Sequence, residues 1–227
     1  MQDRTRSTSP STSTAGPIRR ADAAAPARRR PSFRWRVVDI VVASVLGVAA
    51  AVIFFAWNQL YTPVTGPIEV ALPGAQALLY GVWLFAGVLG GLVIRKPGAA
   101  LFTELVAATV SALLGNQWGF LTLESGLVQG LGAELVFLAF LYSYWRMPVA
   151  MLAGAGAGLA LGINDNILWN VGATPTFQLI YLVSAVISGA LIAGLGSWFL
   201  VRALARTGVL SRFASGRSAA PAAADPA

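Results

Sequence analysis

The sequence predicts an all-α membrane protein: a six-transmembrane-helix bundle, N-in/C-in, with a disordered tail at each end. Three observations carry this reading. Only 11% of the 227 residues are charged and 56% are apolar, whereas soluble chains carry about 25% charge, so too little charge is present to clothe a water-facing globule. Six apolar stretches are long enough to cross ~30 Å of hydrocarbon as helix. Finally, the sixteen Lys and Arg residues fall on one side of those stretches only.

Along the chain, residues 1–34 are rich in Ser, Thr, Pro, Ala and Arg, lack apolar periodicity, and are expected to form a disordered cytoplasmic tail. They hold no early apolar core with a small-residue cleavage site, so they do not read as a secretory signal. The membrane domain is expected over 35–210. Its spans fall at about Val37–Trp57, Ala77–Ile94, Ala99–Leu114, Ser125–Trp145, Met147–Asn170 and Phe177–Val201. An Ala/Ser/Pro-rich second tail is expected from 211 to 227. No ten-residue alternation suggests a barrel, and open strands could not satisfy their backbone in lipid.

Nine arginines precede Val37, Arg95 and Lys96 separate the second and third spans, and Arg146 separates the fourth and fifth. Arg202, Arg206, Arg212 and Arg217 lie at or beyond the sixth, while segments 58–76, 115–124 and 171–176 contain no basic residue. Basic residues mark the cytoplasmic side, so both termini are expected inside the cell (plasma) membrane. This distribution makes the excess positive charge an orientation signal, and no motif accompanies it that would read nucleic acid. The prolines at 63, 67 and 73 predict an ordered outer loop over 58–76.

The absence of Cys and His excludes disulfides, thiolate metal sites, a cysteine nucleophile and the usual general base. No metal or cofactor is expected. No GxxxxGK[ST] is present to hold a nucleotide, and the two halves show no repeat of the kind carriers use. A pocket without an engine implies one subunit of a powered machine.

Within the spans, Glu104, Glu134 and Asp165 are ionisable groups whose burial in lipid would cost ~2.5–3.5 kcal/mol each on insertion scales, which points to function. Gly126, Gly130 and Glu134 share one face of the fourth helix, predicting a slot that leads down to an acid. Polar and aromatic residues gather towards the outer half: Trp57, Asn58 and Gln59; Asn116, Gln117 and Trp118; Gln129; Asn164, Asp165, Asn166, Trp169 and Asn170; and Gln178 and Tyr181. Such a set suits a small polar, aromatic, cationic ligand, since indole faces attract cations and stack on rings. Gly154, Gly158 and Gly162 predict close packing of the fifth helix. Ala43, Gly47 and Ala51 predict close approach on the first, either within the bundle or with another membrane subunit.

RKPGAALFTE (Arg95–Glu104), LLGN (Leu113–Asn116), VQGLGAE (Val128–Glu134) and LARTGVL (Leu204–Leu210) resemble the substrate-binding S component of energy-coupling factor (ECF) vitamin transporters, of the YkoE type that handles thiamine and hydroxymethylpyrimidine. The resemblance implies a non-enzymatic six-helix subunit that binds its vitamin at the outer face. It also implies a transmembrane coupling (T) subunit and ABC-type ATPase subunits as partners. It places Glu104, Asn116, Gln129 and Glu134 at the ligand, and Ala43, Gly47 and Ala51 against the coupling subunit. Trp57, Trp118, Asn164, Asp165, Trp169 and Tyr181 join the expected site from the residue pattern alone. Two alternatives remain at this stage: an S component for a different vitamin or heterocycle, and a non-transport membrane assembly protein.

Overall fold

The computed structural model describes residues 33–217; of the expected tails at 1–34 and 211–227, residues 1–32 and 218–227 lie outside them. The secondary-structure elements of the described residues are all helical: α1 (Val37–Ala71), a 3-10 turn (Ala75–Leu79) leading into α2 (Gly81–Ile94), α3 (Ala99–Leu113), α4 (Leu121–Ala139), α5 (Met147–Leu168) and α6 (Pro175–Ser188). A π-helical segment (Gly189–Leu195) carries α6 directly into α7 (Gly196–Arg206), and a short α8 (Ala214–Arg217) follows. Five helical stretches are long and apolar enough to cross a membrane, with the shorter Ala99–Leu113 as a further apolar helix. The chain is a multi-pass membrane protein.

Several boundaries differ from the sequence expectation: α4, expected at Ser125–Trp145, spans Leu121–Ala139, and the last span, expected to end at Val201, continues to Arg206. The segment 58–76 is not a loop, because α1 runs on to Ala71 through Pro63 and Pro67. At 1.5 Å per residue α1 is about 52 Å long, well beyond the hydrocarbon thickness. The two prolines are tolerated because they sit one turn apart on an exposed face, where water can solvate the carbonyls they leave unpaired. Between them Thr65 donates its hydroxyl to Tyr61 O, one turn back on the same helix, at 2.8 Å. The expected tail also begins too early. Leu210 and Phe213 are buried, and the Ser215 hydroxyl donates to Val93 O at 3.1 Å, so the chain stays packed on α2 up to α8.

The small-residue face of α1 points inward, which corrects its expected role as a partner surface. Asp39, Ala43, Gly47, Ala50, Ala51, Phe54 and Thr65 are the buried residues of α1, and the three- and four-residue steps from Asp39 through Ala43, Gly47 and Ala50 to Phe54 make one stripe. A Cβ at Gly47 would lie 2.7 Å from Val106 Cγ1 and 2.9 Å from Thr103 O. Close packing on α3 therefore needs glycine there. The lipid-facing side of α1 is instead Val37, Val41, Val45, Val48 and Val52, all exposed.

The turns that carry basic residues are tied together at one end of the bundle. Asp39, fully buried, accepts from Arg36 (2.9 Å) and is paired with Lys96, and the Trp35 indole donates to Pro97 O at 2.9 Å. The start of α3 has no side-chain cap of its own, because its N-cap is Gly98 at φ 83°. Glu134 reaches across from α4 to supply one, as described below. Between α4 and α5, Leu141 and Tyr142 both adopt φ 51°, a left-handed conformation that costs a non-glycine residue of order 1 kcal/mol or more. The turn is held by the Tyr142 hydroxyl donating to Glu134 (2.6 Å) and by Trp145 Nε1 donating to Tyr142 O (3.0 Å). Burial pushes the Tyr142 phenol above its ordinary range, so it remains a donor.

Candidate functional site

At the opposite end of the bundle, six helices and their turns surround a pocket of about 280 Å³, just below the ~300–1,000 Å³ usual for ligand sites. Each helix contributes residues at helical spacing. From α1 come Phe54, Asn58, Tyr61 and Glu69; from α3, Glu104, Ala108 and Ser111; from α4, Thr122, Ser125, Gly126 and Gln129; and from α5, Leu161, Asp165 and Trp169. Tyr80 and Trp83 come from the start of α2, and Phe177 and Tyr181 from α6.

The floor is Glu104. It is 1% exposed, and its Oε2 accepts the Gly87 backbone N–H at 2.6 Å. Its Oε1 accepts no hydrogen bond among the described residues and borders the cavity. Gly87 permits this approach, since a Cβ there would lie 3.1 Å from Oε2. Beside Glu104 on α4, Gln129 is 6% exposed, lines the pocket, and likewise has a side-chain amide without a partner among the described residues. Buried polar groups are almost always hydrogen-bonded. Two that are aimed into one cavity mark where a ligand's polar edge would sit.

The walls are aromatic. Trp83 and Trp118 meet edge-to-face with centroids 5.2 Å apart, Tyr61 lies 5.0 Å from Trp83 and 5.8 Å from Trp118, and Tyr80 lies 5.6 Å from Tyr181. Hydrogen bonds fix these rings. The Tyr61 and Tyr80 hydroxyls are 2.6 Å apart, and Trp83 Nε1 donates to Asn58 Oδ1 at 2.8 Å. Asn58 and Asn116 both donate to the Ser111 hydroxyl. Asn116 also accepts from Trp118 N (3.0 Å), Gly119 N (2.9 Å) and the Thr122 hydroxyl (2.9 Å), folding the loop that presents Trp118. On the far wall Tyr181 donates to Asp165 Oδ2 at 2.5 Å.

Of the residues expected at the site, Glu104, Asn116, Trp118, Gln129, Asp165, Trp169 and Tyr181 line the pocket. Three do not. Glu134 lies five residues past Gln129, beneath the floor, with its carboxylate wholly used. It accepts from Gly98 N (2.6 Å), Ala100 N (2.9 Å), Leu101 N (3.3 Å) and the Tyr142 hydroxyl, which caps α3 with the negative charge a helix N-terminus favours. The glycine slot above it is filled, because a Cβ at Gly130 would meet Glu104 Cβ and Leu101 at about 3.1 Å. Asn164 points away and donates to Glu124 (3.2 Å), joining α5 to α4. Trp57 packs on Trp83 at 6.2 Å with its Nε1 buried and unpaired.

The sequence reading missed Phe54, Tyr61, Glu69, Tyr80, Trp83 and Phe177. Four- and three-residue steps link Ala43, Gly47, Ala50, Phe54, Asn58, Tyr61, Thr65 and Glu69 into one helical stripe, a signal present in the sequence but hidden by the two prolines. Trp83 gave no such signal, standing in a stretch that is apolar all round.

A polytopic helical permease component, built around a small-molecule pocket, is the class this fold and site define. The sequence-family model described as the permease component of an ABC-type cobalt transport system matches residues 38–160, and the chain belongs to that family, within it to the energy-coupling factor S components. It is similar to YkoE of Bacillus subtilis (strain 168), a protein named for HMP/thiamine permease activity, with 41% identity over 184 residues, 81% of this chain and 91% of that protein. It is also similar to a solved S-component of an ECF transporter, with TM-score 0.74 and 41% identity over 82% of this chain and 93% of the other.

Proposed function

We propose that this chain captures thiamine or its hydroxymethylpyrimidine moiety from the outer face of the plasma membrane and delivers it inward with a transmembrane coupling subunit and ABC-type ATPases. The observation that carries the reading is Glu104, a buried carboxyl with one oxygen held by Gly87 N–H and the other turned to an aromatic-walled cavity. An aminopyrimidine offers an amine and a ring nitrogen on one edge. Glu104 Oε1 can accept from that amine and the Gln129 amide can donate to that ring nitrogen, while Trp83, Trp118 and Tyr61 supply faces for the rings and for a thiazolium cation. The name of the Bacillus subtilis relative supports the same ligand class.

Orientation follows from charge. The pocket is at the end away from Arg95, Lys96, Arg146, Arg202 and Arg206, so the positive-inside rule turns it outward, with six spans and both termini cytoplasmic. Lacking a nucleotide site, the chain depends on its partners for energy. The coupling subunit meets residues other than the inward-facing Ala43, Gly47 and Ala51.

The test is calorimetric titration of the purified full chain with thiamine, hydroxymethylpyrimidine, riboflavin and biotin. Saturable binding of the first two alone is expected. Binding of another vitamin in preference to both, or of none, would overturn the reading.

A further inference from the structure

The pocket holds more negative charge than recognition of an aminopyrimidine requires. Glu69, Glu104 and Asp165 line it, and none of its lining residues is Lys or Arg. These three carboxyls stand at different levels. Glu104 is the floor, Asp165 stands one turn above Leu161 on the α5 wall, and Glu69 is exposed on the part of α1 that extends past Thr65. The unpartnered Glu104 Oε1 and Gln129 amide, each more than nine-tenths buried, fix where a ligand's hydrogen-bonding edge must go. The opposite end of that ligand then points at Glu69 and Asp165.

We propose that Glu69, with Asp165, is a charge filter that admits the unphosphorylated vitamin and rejects its phosphate esters, which makes Glu69 a specificity-determining residue. The inference rests on the thiamine/hydroxymethylpyrimidine reading of the pocket. With the pyrimidine on Glu104, the thiazolium and its hydroxyethyl arm lie towards the mouth. The cation gains from the two carboxylates there. A phosphate on the arm brings its negative charges beside them in a site partly withdrawn from water, with no lining cation to offset the repulsion. Discrimination thus comes from a built-in repulsive element as well as from attraction.

The experiment is titration of purified full-length protein with thiamine, thiamine monophosphate, thiamine diphosphate and hydroxymethylpyrimidine, for the natural sequence, Glu69→Gln and Glu69→Lys. In the natural sequence the monophosphate is expected to bind about tenfold, and the diphosphate about a hundredfold, more weakly than thiamine, as close like-charge pairs imply. Glu69→Gln narrows both ratios and Glu69→Lys narrows them further. Uncharged hydroxymethylpyrimidine loses less affinity than thiamine in both variants, a split that misfolding would not produce. Esters that bind the natural sequence as tightly as thiamine, or ratios unchanged in both variants, would overturn the filter while leaving the ligand assignment intact. Failure of thiamine and hydroxymethylpyrimidine alike to bind the natural sequence would overturn the ligand assignment and the filter with it.

Discussion

Replacing Glu104 with Gln changes one atom's chemistry at the pocket floor and keeps the side chain's shape. In the natural protein Oε2 accepts from Gly87 N–H and Oε1 faces the cavity. A glutamine can meet only one of these demands. If its carbonyl serves Gly87, its amide N–H groups confront the ligand's amine, which is itself a donor; if its carbonyl serves that amine, the amide confronts Gly87 N–H. Either way a buried donor loses its acceptor, at about 1–3 kcal/mol, and a charge-assisted bond of about 1.5–3 kcal/mol is weakened to a neutral one. With the neutral bond still contributing about 0.5–1.5 kcal/mol, the net loss is about 2–4.5 kcal/mol, roughly a 30- to 1,500-fold loss of affinity at 1.4 kcal/mol per decade. Titration calorimetry of thiamine into detergent-purified protein reads this directly, with a thermal melt of the ligand-free protein to show that the fold is intact. A folded Glu104→Gln protein that binds thiamine within twofold of the natural sequence would refute the role of Glu104.

The remaining expectations separate binding from scaffolding. Glu134→Ala strips the acceptor from three backbone N–H groups and from Tyr142, so it should destabilise the ligand-free protein by about 2–4 kcal/mol; a melt should show this, while the folded fraction keeps its thiamine affinity. Gly47→Val drives a branched side chain into Val106 and Thr103, at about 1–3 kcal/mol for overpacking, and should lower the melting temperature of the chain expressed without any partner subunit. No loss would mean this face is free. Because the natural sequence has no cysteine, Val171→Cys and Val209→Cys, both at exposed positions, report sidedness. An impermeant maleimide should label position 171 in intact cells and position 209 only after permeabilisation, and the reverse pattern would invert the topology.

The helical class and most helix boundaries were legible because lipid enforces them. Every backbone group must pair within its own helix, so apolar length and the placement of arginines suffice. The pocket was legible in part. Glu104, Asp165 and Gln129 stand out because polar groups in lipid demand a reason, but that demand does not say which reason. Glu134 answers it by capping α3, a partnership that depends on how α4 packs against a turn some thirty-five residues earlier in sequence. The inward stripe of α1 carries a readable period, yet Pro63 and Pro67 read as turn signals until the exposed face on which they sit is known. Trp83 was beyond reach for another reason: in a helix buried on all sides, periodicity does not point anywhere.

A structure of the full chain with thiamine bound bears most directly on the whole account. The pyrimidine edge should lie within hydrogen-bond distance of Glu104 Oε1 and the Gln129 amide, with its rings against Trp83 and Trp118 and the thiazolium towards Asp165 and Glu69. Thiamine seated elsewhere, with Glu104 and Gln129 still facing an empty cavity, would contradict it.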